Sequence, residues 1–269
     1  MSGWIFLVFI FYSFSLGIRM SNLFTTTSRK KHLAEISLFL GGLIQLLLFL
    51  ITFFKKGYFP LLTIYDVLYF YSLIVIILAM MIQRFFQVDV FEISIIMVGF
   101  FLLLLAVIIG ETSPTIDEHF LSRFLFLHIL LTLTSYGIFS LSALFSLFFL
   151  LYEHLLKQKK WNLLTKKMPS LQRLEKNIFL ANLFGNVFLF IGLLFGSIWA
   201  TTFFRFTFFY DPKVMISILV FTMYVVFFIQ RQKGNWSSKQ LSQWNLLCFM
   251  MVLLNFLLSH YFQSFHHWF

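Results

Sequence analysis

Apolar residues along this chain come in long runs, with the polar residues collected in the intervals between them. The runs lie near residues 3–19, 34–54, 64–83, 91–110, 124–152, 177–203, 213–230 and 243–262. A helix on a soluble surface carries an apolar stripe with a polar face opposite, and these runs have no polar face. Crossing the hydrocarbon core takes about 20 residues at 1.5 Å rise each. Backbone in lipid must satisfy its own hydrogen bonds, which selects helices. The pattern therefore predicts an all-α, polytopic integral membrane protein with eight transmembrane helices. The fifth and sixth runs exceed the minimum and predict tilt or projection beyond the bilayer. No internal repeat is visible, so residues 1–269 read as a single transmembrane domain.

Charge sets the orientation. Eight spans put both termini on one side. If that side is the outer one, Lys55, Lys56, Arg123, Arg205 and Lys213 face outward, and the other fifteen of the twenty Lys and Arg residues face inward. An excess of Lys and Arg on the cytoplasmic side is the usual topology determinant, so the N- and C-termini are expected on the outer side. The first run has no basic segment before it and its positive charge follows it. It reads as a retained span, not a removed signal peptide. The largest inner segment, 153–176, EHLLKQKKWNLLTKKMPSLQRLEK, reads as a basic cytoplasmic loop. It suits anionic lipid or a soluble partner as well as topology alone.

Composition agrees with the pattern. Hydrophobic residues make up 60% of the chain and charged residues 11%, against about 25% charged in a soluble domain. The net charge of +10 is spread over short loops between spans, which argues against nucleic acid. One cysteine, Cys248, excludes an intramolecular disulfide, a CxxC pair and a cysteine-rich metal site.

The chemistry that remains gathers on the expected outer side. His128 lies inside the fifth span near its outer end, and an ionisable residue at that depth needs a purpose or a partner. His260 ends the eighth span, and His266 and His267 follow in the tail SFHHWF. Between the sixth and seventh spans runs FGSIWATTFFRFTFFYDPKV, residues 195–214, dense in aromatics and closed by Asp-Pro-Lys. Its segment 200–213 reads as an outer aromatic loop. Asp211-Pro212 also reads as a helix start, with Pro in the first turn. Histidines from two elements, aromatic faces and a few cations suit a large flat ligand with a metal centre and anionic arms. Haem is such a ligand: imidazoles take its iron axially, aromatic rings stack on the macrocycle, and Lys or Arg pairs with carboxylates. Gly192-x-x-x-Gly196 in the sixth span reads as a close helix contact.

These residues also resemble a known family. GSIWATTFFRFTFFYDPK is similar to the tryptophan-rich loop of the cytochrome c assembly family, the haem-handling membrane proteins that include CcsA and CcmC. Trp199 and Ala200 match the opening of that loop, and Asp211, Pro212 and Lys213 its end. Phe204, Phe208 and Tyr210 stand at three tryptophan positions, Arg205 replaces a glycine and Val214 an acid. GYFPLLTIYDVLYFYSL resembles the family segment in which an acidic residue, here Asp66, opens a span. The span from Leu127 resembles the one with an outer haem-ligand histidine, at His128. The tail SFHHW resembles the segment with the second, at His266. Length, span number and the weakened loop place the likeness closest to the HemX branch.

The resemblance implies a haem-binding protein of the bacterial cytoplasmic membrane, acting in cytochrome c biogenesis or haem trafficking and not an enzyme. Non-covalent b-type haem would sit between His128 and His266, with His267 and His260 as fallback ligands. Trp199, Phe204, Phe208 and Tyr210 would line it, Lys213 or Arg205 would meet propionates, and Asp211 would fix the loop. Expected partners are the lipid bilayer, haem, and other assembly subunits or a soluble haem-biosynthesis enzyme. The alternative implied is a membrane regulator of tetrapyrrole synthesis, acting through its cytoplasmic surface on the level of glutamyl-tRNA reductase. The spans show no inner histidine pair and the chain no CxxC, which argues against a thioether-forming synthase.

Overall fold

The computed structural model describes residues 2–24, 28–56, 59–61, 63–85, 89–111, 122–159, 169–204 and 211–258. Among them are eight helices: α1 (Ser2–Phe24), α2 (Ser28–Lys56), α3 (Ile64–Phe85), α4 (Asp89–Ile109), α5 (Arg123–Lys157), α6 (Leu171–Phe204), α7 (Pro212–Lys233) and α8 (Ser238–Leu258). All eight are long and apolar enough to cross a membrane, which makes the chain a multi-pass membrane protein. At 35 and 34 residues, α5 and α6 run for about 50 Å, well beyond the hydrocarbon core.

The helix ends follow local chemistry. Thr63 Oγ1 accepts from the Asp66 backbone N–H at 3.1 Å, so α3 opens on a threonine cap. Asp211 caps α7, its Oδ1 accepting from the Lys213 N–H at 2.8 Å with Pro212 in the first turn. Gly234, at φ 67°, ends α7 in the left-handed conformation that glycine adopts without strain.

Contacts divide the chain into two compact units, one built on α1–α4 and the other on α5–α8. In the first, α1 packs on α2 and α3 on α4, with α1–α4 and α2–α3 closing the set. A buried polar chain runs through all four helices. Tyr12 Oη donates to Gln45 Oε1. Gln45 Nε2 donates to the Tyr69 carbonyl and to Ser72 Oγ, both at 3.3 Å. Ser72 Oγ donates to the Gly99 carbonyl at 2.8 Å.

The first unit also corrects one reading of the sequence. By the pattern of runs, Arg19 counts among the fifteen inward-facing charges, and Glu92 is an acid near the start of the fourth span, where a solvated helix end would suffice. Both are buried, at 1% exposure each, and they form an ion pair from α1 to α4. Arg19 Nε also reaches Ser15 Oγ at 3.4 Å, and Ser15 Oγ donates to the Ala34 carbonyl at 2.9 Å. A charge that must enter the apolar layer is retained only where a counter-charge meets it.

The second unit is built round α5, which packs mainly on α6 and also on α8, while α7 packs on α8 and α6. The Phe139 ring stacks on Tyr224 at 3.8 Å and 6°. It fits because Gly185 has no Cβ, which would lie 2.6 Å from Phe139 Cε1. Two buried asparagines join the helices here. Asn245 Nδ2 donates to Ser142 Oγ at 2.9 Å and to Ser146 Oγ at 2.7 Å. Asn255 Nδ2 donates to Tyr136 Oη and Ser217 Oγ, both at 2.9 Å.

Candidate functional site

The candidate site lies at one end of the second unit, where α5 begins, α6 ends, α7 begins and α8 ends. Its floor is apolar. Leu125, Trp199 and Ala200 form a buried cluster against which Ile129 and Val214 pack. Trp199 is 2% exposed, so its indole is a packing surface that joins α5, α6 and α7. Phe124 and Phe195 stack beside it at 6.2 Å and 27°.

His128 sits one turn further into α5, half-buried, with its ring against α6. Its Nδ1 lies 2.8 Å from the Gly192 carbonyl oxygen. A carbonyl only accepts, so Nδ1 carries the proton, and in the neutral ring the Nε2 nitrogen holds the lone pair. The ring reaches that carbonyl because of the glycine one turn on. A Cβ on Gly196 would lie 2.5 Å from His128 Nδ1 and 2.8 Å from Cε1. A Cβ on Gly192 would likewise press on Thr132 Cγ2 at 2.9 Å. The Gly192–Gly196 pair therefore brings α6 close to α5, as its spacing predicts, and it does so where the imidazole needs the room. Thr132 Oγ1 donates to the His128 carbonyl at 2.7 Å, which keeps its own polar group satisfied inside the span.

Asp211 is buried and holds the first turn of α7 through its cap bond. Lys213 follows half-buried, and its carbonyl accepts from Ser217 Oγ at 2.7 Å. Ser217 in turn accepts from Asn255, which also donates to Tyr136. One amide thus ties the start of α7 and the body of α5 to α8, three residues before its described end at Leu258. The sequence reading passed over Asn255. The signal was there, an amide in the run VLLNFLL, since a polar side chain in a span demands a partner.

Among the expected site residues, the structure brings His128, Trp199, Asp211 and Lys213 to this one end. Arg205, Phe208, Tyr210, His260, His266 and His267 lie outside the described residues, as does the side chain of Phe204. Among the described residues no three His, Cys, Asp or Glu side chains cluster as a metal site would require. Axial ligation needs only single imidazoles from separate elements, and the His128 tautomer, held by a backbone carbonyl, has the donor chemistry for it.

Residues 61–267 match the family model described as Cytochrome C assembly protein. The chain is similar to Protein HemX of Brevibacillus brevis, 34% identical over 214 residues, covering 79% of this chain and 78% of that protein. It is also similar to Protein HemX of Bacillus subtilis (strain 168), 30% identical over 219 residues with the same coverage. No solved structure matches it. The match spans the whole second unit and α3 and α4 of the first, and the chain belongs to the cytochrome c assembly protein family.

Proposed function

We propose that the chain is a haem-handling membrane protein which holds non-covalent b-type haem at the α5–α6–α7 end of its second unit, in cytochrome c assembly or haem trafficking. The observation that carries this reading is the His128 imidazole, seated in the Gly196 notch with Nδ1–H on the Gly192 carbonyl. That bond presents Nε2 as the ligating nitrogen and restrains ring rotation. When bound, haem supplies an iron centre that takes two axial ligands and changes oxidation state. The protein's own residues bind and orient. His128 would supply one nitrogen ligand to the iron and His266 the other, with His267 and His260 as substitutes. Phe204, Phe208 and Tyr210 would line the macrocycle, next to the buried cluster that holds Trp199. Lys213 or Arg205 meets the propionates. Asp211 fixes the turn that brings Lys213 into place. None of these residues is assigned a catalytic step. The distribution of Lys and Arg supports placing this end at the outer face of the cytoplasmic membrane.

The test is the visible spectrum of the purified full chain, oxidised and reduced, with haem supplied. A low-spin Soret band and a sharp alpha band are expected, lost in His128→Ala. A His128→Ala protein with an unchanged spectrum, or a folded wild type that stays haem-free, overturns the assignment. In the second case the basic 153–176 segment becomes the surface to mutate, with glutamyl-tRNA reductase level as the readout.

A further inference from the structure

A second constellation lies in the first unit, at the Lys56 end of α2 and the Ile64 end of α3. Phe49, Thr52, Pro60, Tyr65, Asp66 and Tyr69 line a small open cleft, with an interior of about 10 Å³ that takes one group the size of a water or an ammonium. Asp66 is 3% exposed, and its two oxygens differ. Oδ1 pairs with Lys56 Nζ at 3.3 Å. Oδ2 is buried, and among the described residues no donor reaches it. Glu111 takes a second contact from the same ammonium at 3.2 Å. Two carboxylates share one cation, so the cluster carries a net charge of about −1 when both are ionised. A buried carboxylate oxygen without a donor is costly.

The chemistry that relieves this is a further cation that donates hydrogen bonds. Aromatic walls favour it too, because ring faces attract ammonium groups. Depth narrows the choice of source. Lys56 closes one membrane span and Ile64 opens the next, so the cleft sits at the boundary between hydrocarbon and headgroups. On the same two turns of α2, Ile51 and Phe54 remain 45% and 77% exposed and offer apolar surface at the depth of acyl chains.

We infer that this cleft is a lipid-headgroup site, in which the primary ammonium of an aminophospholipid donates to Asp66 Oδ2 between the rings of Phe49, Tyr65 and Tyr69. Lys56 holds Asp66 in place from the other side and keeps Oδ1 engaged. The site is separate from the histidine end and does not depend on haem.

The experiment is thermal unfolding of the haem-free full chain in detergent, titrated with phosphatidylethanolamine or phosphatidylglycerol. A ligand that binds the folded state raises the midpoint with concentration. Phosphatidylethanolamine is expected to raise it and phosphatidylglycerol to leave it nearly unmoved, with the difference lost in Asp66→Asn. Equal shifts from both lipids, or a difference retained in Asp66→Asn, overturn the proposal. Free ethanolamine producing the full shift without lipid overturns the lipid assignment. If Asp66→Asn yields no folded protein, Glu111→Gln takes its place. Glu111 is 42% exposed at its side chain and its loss removes the excess charge. A smaller phosphatidylethanolamine shift is expected in that variant, and an unchanged one overturns the proposal.

Discussion

The two units solve the same problem differently. Each must place polar side chains among apolar helices, and lipid punishes every one left unpaired. The α1–α4 unit adds full charges to its neutral Tyr12–Gln45–Ser72 chain, pairing Arg19 with Glu92 and Lys56 with Asp66 and Glu111. Among the described contacts, the α5–α8 unit uses neutral amides, hydroxyls and an imidazole, in Asn245, Asn255, Tyr136 and His128. Charge pairs are specific and stiff, and losing one partner is severe. Neutral contacts are weaker and can rearrange around a ligand at lower cost.

The sharpest way to break the comparison is to halve the buried pair. Glu92→Gln leaves Arg19 charged in the apolar layer and is expected to cost about 3–5 kcal/mol, read as loss of folded protein in detergent. Replacing both residues together, Arg19→Met with Glu92→Leu, is expected to restore most of the stability. A double variant as unstable as the single one would show that the pair does more than cancel charge.

Next in size is the notch. Gly196→Val puts side-chain atoms where the His128 ring lies. Overpacking of this kind costs about 1–3 kcal/mol, and displacing the imidazole should abolish the haem spectrum in protein that still folds. Gly185→Val, which meets the Phe139 ring and not a histidine, should cost as much stability while leaving the spectrum intact. Identical spectra for the two variants would separate His128 from the ligand role.

Asp211→Ala removes a helix cap and is expected to cost about 0.5–2 kcal/mol, with Asp211→Asn recovering most of it because an amide oxygen still accepts from the Lys213 N–H. If Asp211 also serves the ligand through charge, Asp211→Asn will fold like the wild type and yet weaken haem retention. The midpoint of thermal unfolding and the Soret absorbance, measured on one sample, separate these roles.

Much of this was legible in the sequence because lipid writes its demand as uninterrupted apolar runs. All eight runs became helices. Several of their ends were not legible, and the two longest helices show why. Apolar run 124–152 became α5, Arg123–Lys157, and 177–203 became α6, Leu171–Phe204. The added turns hold Glu153, His154, Lys157, Arg173, Glu175 and Lys176, polar residues that continue a helix in water and that hydropathy cannot separate from a loop. Asp211 was legible as a cap, since Asp before Pro at a span entrance has few other uses. His128 stood out as a lone polar residue in a span. Its partner did not, because the partner is a main-chain carbonyl, which every residue carries. The Arg19–Glu92 pair was hidden by a sequence separation of 73 between its members, each of which looks like a span-end charge when viewed alone.

The smallest expected effect is the most informative about the neutral unit. Asn255 Nδ2 donates to both Tyr136 and Ser217, and interhelical hydrogen bonds of this kind average about 0.6 kcal/mol. Asn255→Leu should therefore lower stability only slightly, since Ser217 Oγ keeps its own bond to the Lys213 carbonyl. Its reach lies elsewhere. Asn255 is three residues before Leu258, beyond which the chain carries His260, His266 and His267. Loosening α8 at that point should weaken the second axial ligand more than the first. The expected signature is a change of the reduced spectrum from low-spin towards high-spin with the haem content nearly kept, whereas His128→Ala loses the haem. If Asn255→Leu and wild type give superimposable spectra, the amide bonds serve packing alone, and the second ligand owes nothing to where α8 ends.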